Sequence, residues 1–118
     1  MKMHRIELTA AEASALHDIA RDNWPDNEED WQDFLHELRG LEHDGLVERD
    51  YDEGWQLSNE GLFAYHATAE LQWNSPICIF FTQDELNRFI GLSEEKQASW
   101  FPYVAYRTKK SLKIFFIK

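Results

Sequence analysis

The sequence predicts an α+β domain, on three observations. Apolar residues recur at helical spacing twice within the first 45 positions, each time behind a helix-start signal. A glycine-punctuated stretch from Gly45 to Gly54 then has the pattern of a β-hairpin. Past Pro76 come two runs, Ile77-Cys78-Ile79-Phe80-Phe81 and Leu112-Lys113-Ile114-Phe115-Phe116-Ile117, rich in the branched and aromatic residues that strands favour. At 118 residues, with 43% hydrophobic and 14% aromatic residues, the chain is expected to form one domain with a real core.

The elements follow in order. Met1 to Arg5 carries no apolar signal region and is read as leading straight into a helix. Thr9, followed three residues later by Glu12, has capping-box spacing. Ala13, Leu16, Ile19 and Ala20 carry that helix to about Asp22, and Pro25 breaks the pattern. A second helix is expected from Glu28 to His43, with Trp31, Phe34, Leu35, Leu38 and Leu41 as its apolar stripe. Gly45 ends it in the left-handed conformation that glycine tolerates. Leu46 to Arg49 and Trp55 to Leu57 read as short strands joined by the turn Asp50 to Gly54. Ser58 caps a third helix from Asn59 to about Gln72. After Pro76 the first apolar run reads as a strand buried on both faces. Thr82 and Glu85 form a second capping box for a helix from Gln83 to Ile90, and a short helix over Ser93 to Trp100 follows. Tyr103 to Tyr106 and Leu112 to Ile117 complete the strands. The two Phe-rich runs would aggregate as open edges, so they are expected to be paired inside a sheet or covered.

The net charge of −10 is unevenly spread. Residues 1–72 hold 18 acids and 5 bases, whereas residues 73–118 hold 4 acids and 7 bases. Within 22–53, 13 acids face only Arg39 and Arg49. Such a surface repels phosphate backbones and attracts basic partners. No apolar stretch approaches the roughly 20 residues of a membrane span, so no membrane partner is expected. The single cysteine, Cys78, cannot form an internal disulfide, and the expected compartment is the cytoplasm.

One stretch resembles a known family. Leu41-Glu42-His43-Asp44-Gly45-Leu46-Val47-Glu48-Arg49, then Gly54-Trp55-Gln56-Leu57-Ser58-Asn59-Glu60-Gly61, is similar to the recognition-helix end, wing and following helix of winged helix-turn-helix proteins. The nearest kinds are small bacterial regulators of multiple-antibiotic-resistance and phenolic-acid response. The resemblance implies a winged-helix-like core over residues 1–72, and residues 73–118 are expected to form a β-containing extension packed on it. The chain departs from the family between Arg21 and Asp33, where a separate short helix would normally stand. The extension has no counterpart there.

On the second helix, Asp30, Asp33, Glu37 and Asp44 fall within a sector of about 60°. With Asp50 and Asp52 at the hairpin tip they form the candidate surface for a basic protein partner. Opposite the apolar stripe, Gln32, His36, Arg39 and His43 also line up. In a DNA-binding winged helix that face would enter the major groove, where Gln and Arg read bases. The surrounding acids give the phosphate term the wrong sign, so DNA is the second reading and the basic protein the first.

Catalytic and metal chemistry find no anchor. His36-Glu37 begins a zinc-protease signature, but the required second histidine is replaced by Gly40. Asp50-Tyr51-Asp52-Glu53-Gly54 is out of step with a calcium loop, and Gly61 stands where the closing acid would fall. Cys78 lies in an apolar run, where a thiol is ordinarily inert packing. Trp100, Phe101, Tyr103 and Tyr106 precede Arg107, Lys109, Lys110 and Lys113, an order single-strand binders use. That basic end can equally meet the acidic helix within the chain or across a homodimer. The expected function is therefore a non-enzymatic regulator or inhibitor, by analogy with proteins that imitate the charge of DNA, with no cofactor and no metal.

Overall fold

The computed structural model describes residues 3–50, 52, 54–69, 76–99, 103–107 and 112–116, the last two ranges as backbone. The elements are β1 (Met3–Leu8), α1 (Ala10–Ala20), α2 (Glu28–His43), β2 (Val47–Asp50), β3 (Gly54–Leu57), α3 (Asn59–Thr68), β4 (Ile77–Thr82), α4 (Gln83–Ile90), α5 (Glu94–Ser99), β5 (Tyr103–Arg107) and β6 (Leu112–Phe116). The α+β expectation holds. β1 is a correction, because a strand and not a helix follows the first residues. His4-Arg5-Ile6-Glu7-Leu8 alternates, with Ile6 and Leu8 buried and Arg5 and Glu7 exposed, which is the pattern of a strand with one face on a core.

Helix ends sit where the capping side chains put them. Thr9 Oγ1 accepts from Glu12 N–H while Glu12 Oε1 accepts from Thr9 N–H, both at 3.0 Å. Asn27 Oδ1 accepts from Asp30 N–H at 2.8 Å and starts α2 at Glu28. Thr82 and Glu85 close a second capping box at the head of α4. These contacts satisfy amide groups that the first turn of a helix otherwise leaves open. The far end expected for the third helix, near Gln72, lies outside the described residues, as do Trp100, Phe101, Lys109 and Lys110.

β1, β4, β6 and β5 form one mixed sheet in that order. β4 runs antiparallel to β1, from Met3↔Thr82 to Leu8↔Ile77, and parallel to β6, from Ile77↔Leu112 to Phe80↔Phe115. Both Phe-rich runs are thus interior strands, as their sequence requires. The sheet takes β1 from the acidic part of the chain and its other three strands from the basic part. Ile6, Leu8, Ile77, Ile79 and Phe81 are buried on the face toward the helices. α1 packs against α2, α3 and β3.

The hairpin β2–β3 follows α2, paired from Val47↔Leu57 to Asp50↔Gly54. Gly45 takes φ +79°, the left-handed conformation expected of it, and Gly54 takes the same φ at the end of the hairpin turn. Ser58 then clamps the hairpin base to α3. Its N–H donates to Leu46 O at 3.0 Å, its Oγ donates to Gly45 O at 2.6 Å, and the same Oγ accepts from Gly61 N–H at 3.1 Å. Gly61 packs directly on the Leu46 backbone, and a methyl group there would overlap the Leu46 carbonyl oxygen.

Candidate surface on the second helix

α2 buries Phe34, Leu38 and Leu41 and half-buries Trp31 and Leu35, so the predicted stripe is the packed one. The opposite residues Gln32, His36, Arg39 and His43 are all exposed. Asp30 and Asp33 are exposed beside them and Glu37 is half-buried. A Cβ at Gly40 would stand 3.3 Å from a Glu12 carboxylate oxygen, closer than ordinary contact, where α1 packs on α2.

The acids do not form one cluster. Asp30 joins Asp18 and Asp26 around a depression of about 310 Å³ at the α1–α2 turn. Asp44 stands at the other end of the helix, about 21 Å away by the helical rise. There it borders clefts of about 240 and 510 Å³ together with Arg5 and Glu7. Asp50 and Asp52 hold the hairpin tip, where Asp50 Oδ1 accepts from Asp52 N–H at 2.8 Å. Of the two bases in the acidic stretch, Arg49 is engaged. Its Nε lies 3.6 Å from Glu42 Oε2 and its guanidinium 4.3 Å from the centre of the Trp55 ring. Arg39 joins no ion pair among the described residues.

The sequence reading missed an aromatic group at the head of α2. Trp24, Trp31 and Phe34 form a triad with ring centroids 5.6 to 6.0 Å apart, and both tryptophans remain partly exposed. Asp22 (φ +56°) turns the chain, and Trp24 Nε1–H donates to its carboxylate at 2.6 Å, which fixes the ring. The depression bordered by Asp18, Asp26 and Asp30 includes Trp24. A half-exposed indole set among carboxylates suits a guanidinium or ammonium group, through ring face and charge together.

Behind α1 lies a buried polar pair. Thr68 Oγ1 donates to Ala64 O and accepts from His17 Nε2–H, each at 2.8 Å. Burial first, then Arg21 and His66, push His17 down to about 4. Burial lowers His66 as well. Between pH 6.5 and 4 the unfolded chain binds a proton at His17 that the folded chain refuses, so stability present above pH 6.5 is lost as pH falls. At about 1.36 kcal/mol per pH unit, the loss approaches roughly 3 kcal/mol by pH 4. His17→Gln, which can keep the bond to Thr68, is expected to flatten stability against pH across this window. Chemical denaturation at half-unit pH steps measures it, and parallel curves for the two proteins would refute it.

No group of three or more His, Cys, Asp or Glu residues among the described residues is arranged to hold a metal ion. No helix among them is long and apolar enough to cross a membrane. No family model, curated protein or solved structure matches the chain.

Proposed function

We propose that the chain is a non-enzymatic binding module whose α2 surface engages a basic protein partner, as a regulator or inhibitor. The observation carrying this reading is the half-exposed Trp24, packed beside Trp31 and bordered by Asp18, Asp26 and Asp30. Tryptophan anchors concentrate binding energy in protein interfaces, and a ring of carboxylates selects a cationic residue to meet them. Asp33 and Glu37 continue the charge along the helix, while Asp44, Asp50 and Asp52 extend it past the helix end. The helix–hairpin–helix order of α2, β2, β3 and α3 supports a winged-helix-like unit. Its second reading is a transcription regulator that presents the exposed Gln32, His36, Arg39 and His43 to DNA. The acids flanking that row weigh against it, since phosphate neutralisation supplies much of DNA affinity.

Replacing Asp30, Asp33 and Glu37 with Lys changes the net charge from −10 to −4. The protein-partner reading expects the wild type to retain basic proteins from nuclease-treated lysate that the triple variant loses, chiefly through slower association. Trp24→Ala, which leaves the charge unchanged, is expected to weaken the same contacts at least tenfold. Random duplex DNA should show no gel shift with the wild type. A clear shift, abolished by Arg39→Ala, would overturn the protein-partner reading in favour of the DNA regulator.

A further inference from the structure

β1 is an outer strand of the four-stranded sheet, paired along one side with β4. No other described strand pairs with its second side, where Arg5, Ile6 and Glu7 border an open cleft of about 240 Å³ with Asp44 and Leu46. An open edge offers a row of backbone donors and acceptors to any second strand, and proteins commonly block such edges with charge of a single sign, which repels a second copy. The charges on β1 are of a different kind. Arg5 and Glu7 stand two residues apart on its exposed face, 3.2 Å from each other, with their side chains 59% and 64% exposed. One positive and one negative charge spaced by two residues are complementary to their own reverse. In an antiparallel pair of two β1 strands centred on Ile6, Arg5 of each copy stands opposite Glu7 of the other, and Met3 opposite Thr9. Met3 is 52% exposed, the most exposed of the large hydrophobic residues described, and lies on the same face.

We infer that two copies of this chain associate through their β1 edges, centred on Ile6, joining two four-stranded sheets into one. Opposite charges directly across an antiparallel pair stabilise it and like charges destabilise it. The dimer forms beside Asp44, the far end of the proposed partner surface, and leaves the tryptophans and Asp30 at the other end of α2 open, so this inference does not rest on the proposed partner.

Sedimentation equilibrium on the full chain tests it. The wild type is expected to move from 14.0 kDa toward twice that mass as concentration rises. R5E places two acids opposite two acids, and E7R two arginines opposite two arginines. Each alone should dimerise on the order of tenfold more weakly, or not at all. Mixed in equal amounts they are complementary at both positions, so the mixture should regain wild-type association. That recovery also demonstrates that both variants are folded. A wild type that stays at 14.0 kDa up to its solubility limit would overturn the inference. So would single variants that dimerise as well as the wild type, or weakened variants that fail to recover on mixing.

Discussion

Gly61→Ala is expected to cost about 3 kcal/mol or more, the upper end of what overpacking does, and to lower the melting temperature by roughly 10 °C. Gly61 opens α3, and an added methyl would enter the space of the Leu46 carbonyl oxygen. Backbone cannot swing aside as a long side chain can. That carbonyl is also held by the Ser58 N–H at 3.0 Å, so displacing it breaks the clamp that seats α3 on the hairpin. Alanine's better helix propensity, worth at most about 1 kcal/mol, opposes the loss without matching it. Gly45→Ala supplies the comparison, since a Cβ at Gly45 meets nothing within 4 Å and only its φ of +79° is strained. That change should cost about 1–2 kcal/mol. Thermal melts of the two variants measure the difference. A Gly61 variant melting at or above its Gly45 counterpart would mean that α3 does not sit on Leu46 this closely.

This contact also explains why part of the fold was legible. Helix starts are written in adjacent residues, so Thr9 with Glu12, Ser58, and Thr82 with Glu85 mark them without knowledge of the rest of the chain. The hairpin is local too, since Gly45 and Gly54 announce their left-handed conformations. β1 is the opposite case. Its pairing partner stands 69 to 79 positions away, from Leu8 opposite Ile77 to Met3 opposite Thr82, and nothing nearby encodes that register. The alternation from Arg5 to Leu8 was available as a signal, but it abuts the Thr9 cap and passes for a helix lead-in. The candidate surface divides the same way. Its charge is composition and can be counted, whereas the aromatic triad depends on how the turn at Asp22 brings Trp24 back over Trp31 and Phe34. Trp24 beside Pro25 reads in sequence only as the end of a helix.

Phe63→Ala is expected to cost about 3–5 kcal/mol, because a fully buried aromatic ring leaves both lost contact area and a cavity. Its position makes the result informative beyond its size. Phe63 extends from α3, with its ring centroid 4.9 Å from Phe81 of β4 and 5.3 Å from Phe89 of α4, the latter edge to face. α3 is tied through Ser58 and Gly61 to the hairpin, and through Thr68 to His17 of α1. The ring therefore links the acidic helical part of the chain to the sheet and helix contributed by its second half. If these share one core, removing the ring lowers the melting temperature of the whole molecule by about 12–20 °C while the transition stays single. Tryptophan fluorescence would follow the surroundings of the five tryptophans, three of which (Trp24, Trp31 and Trp55) lie in the first half, and far-ultraviolet dichroism would follow the backbone of the whole. The two curves should coincide in the variant as in the wild type. Separate transitions would mean that the halves fold as independent units, with Phe63 only bridging them.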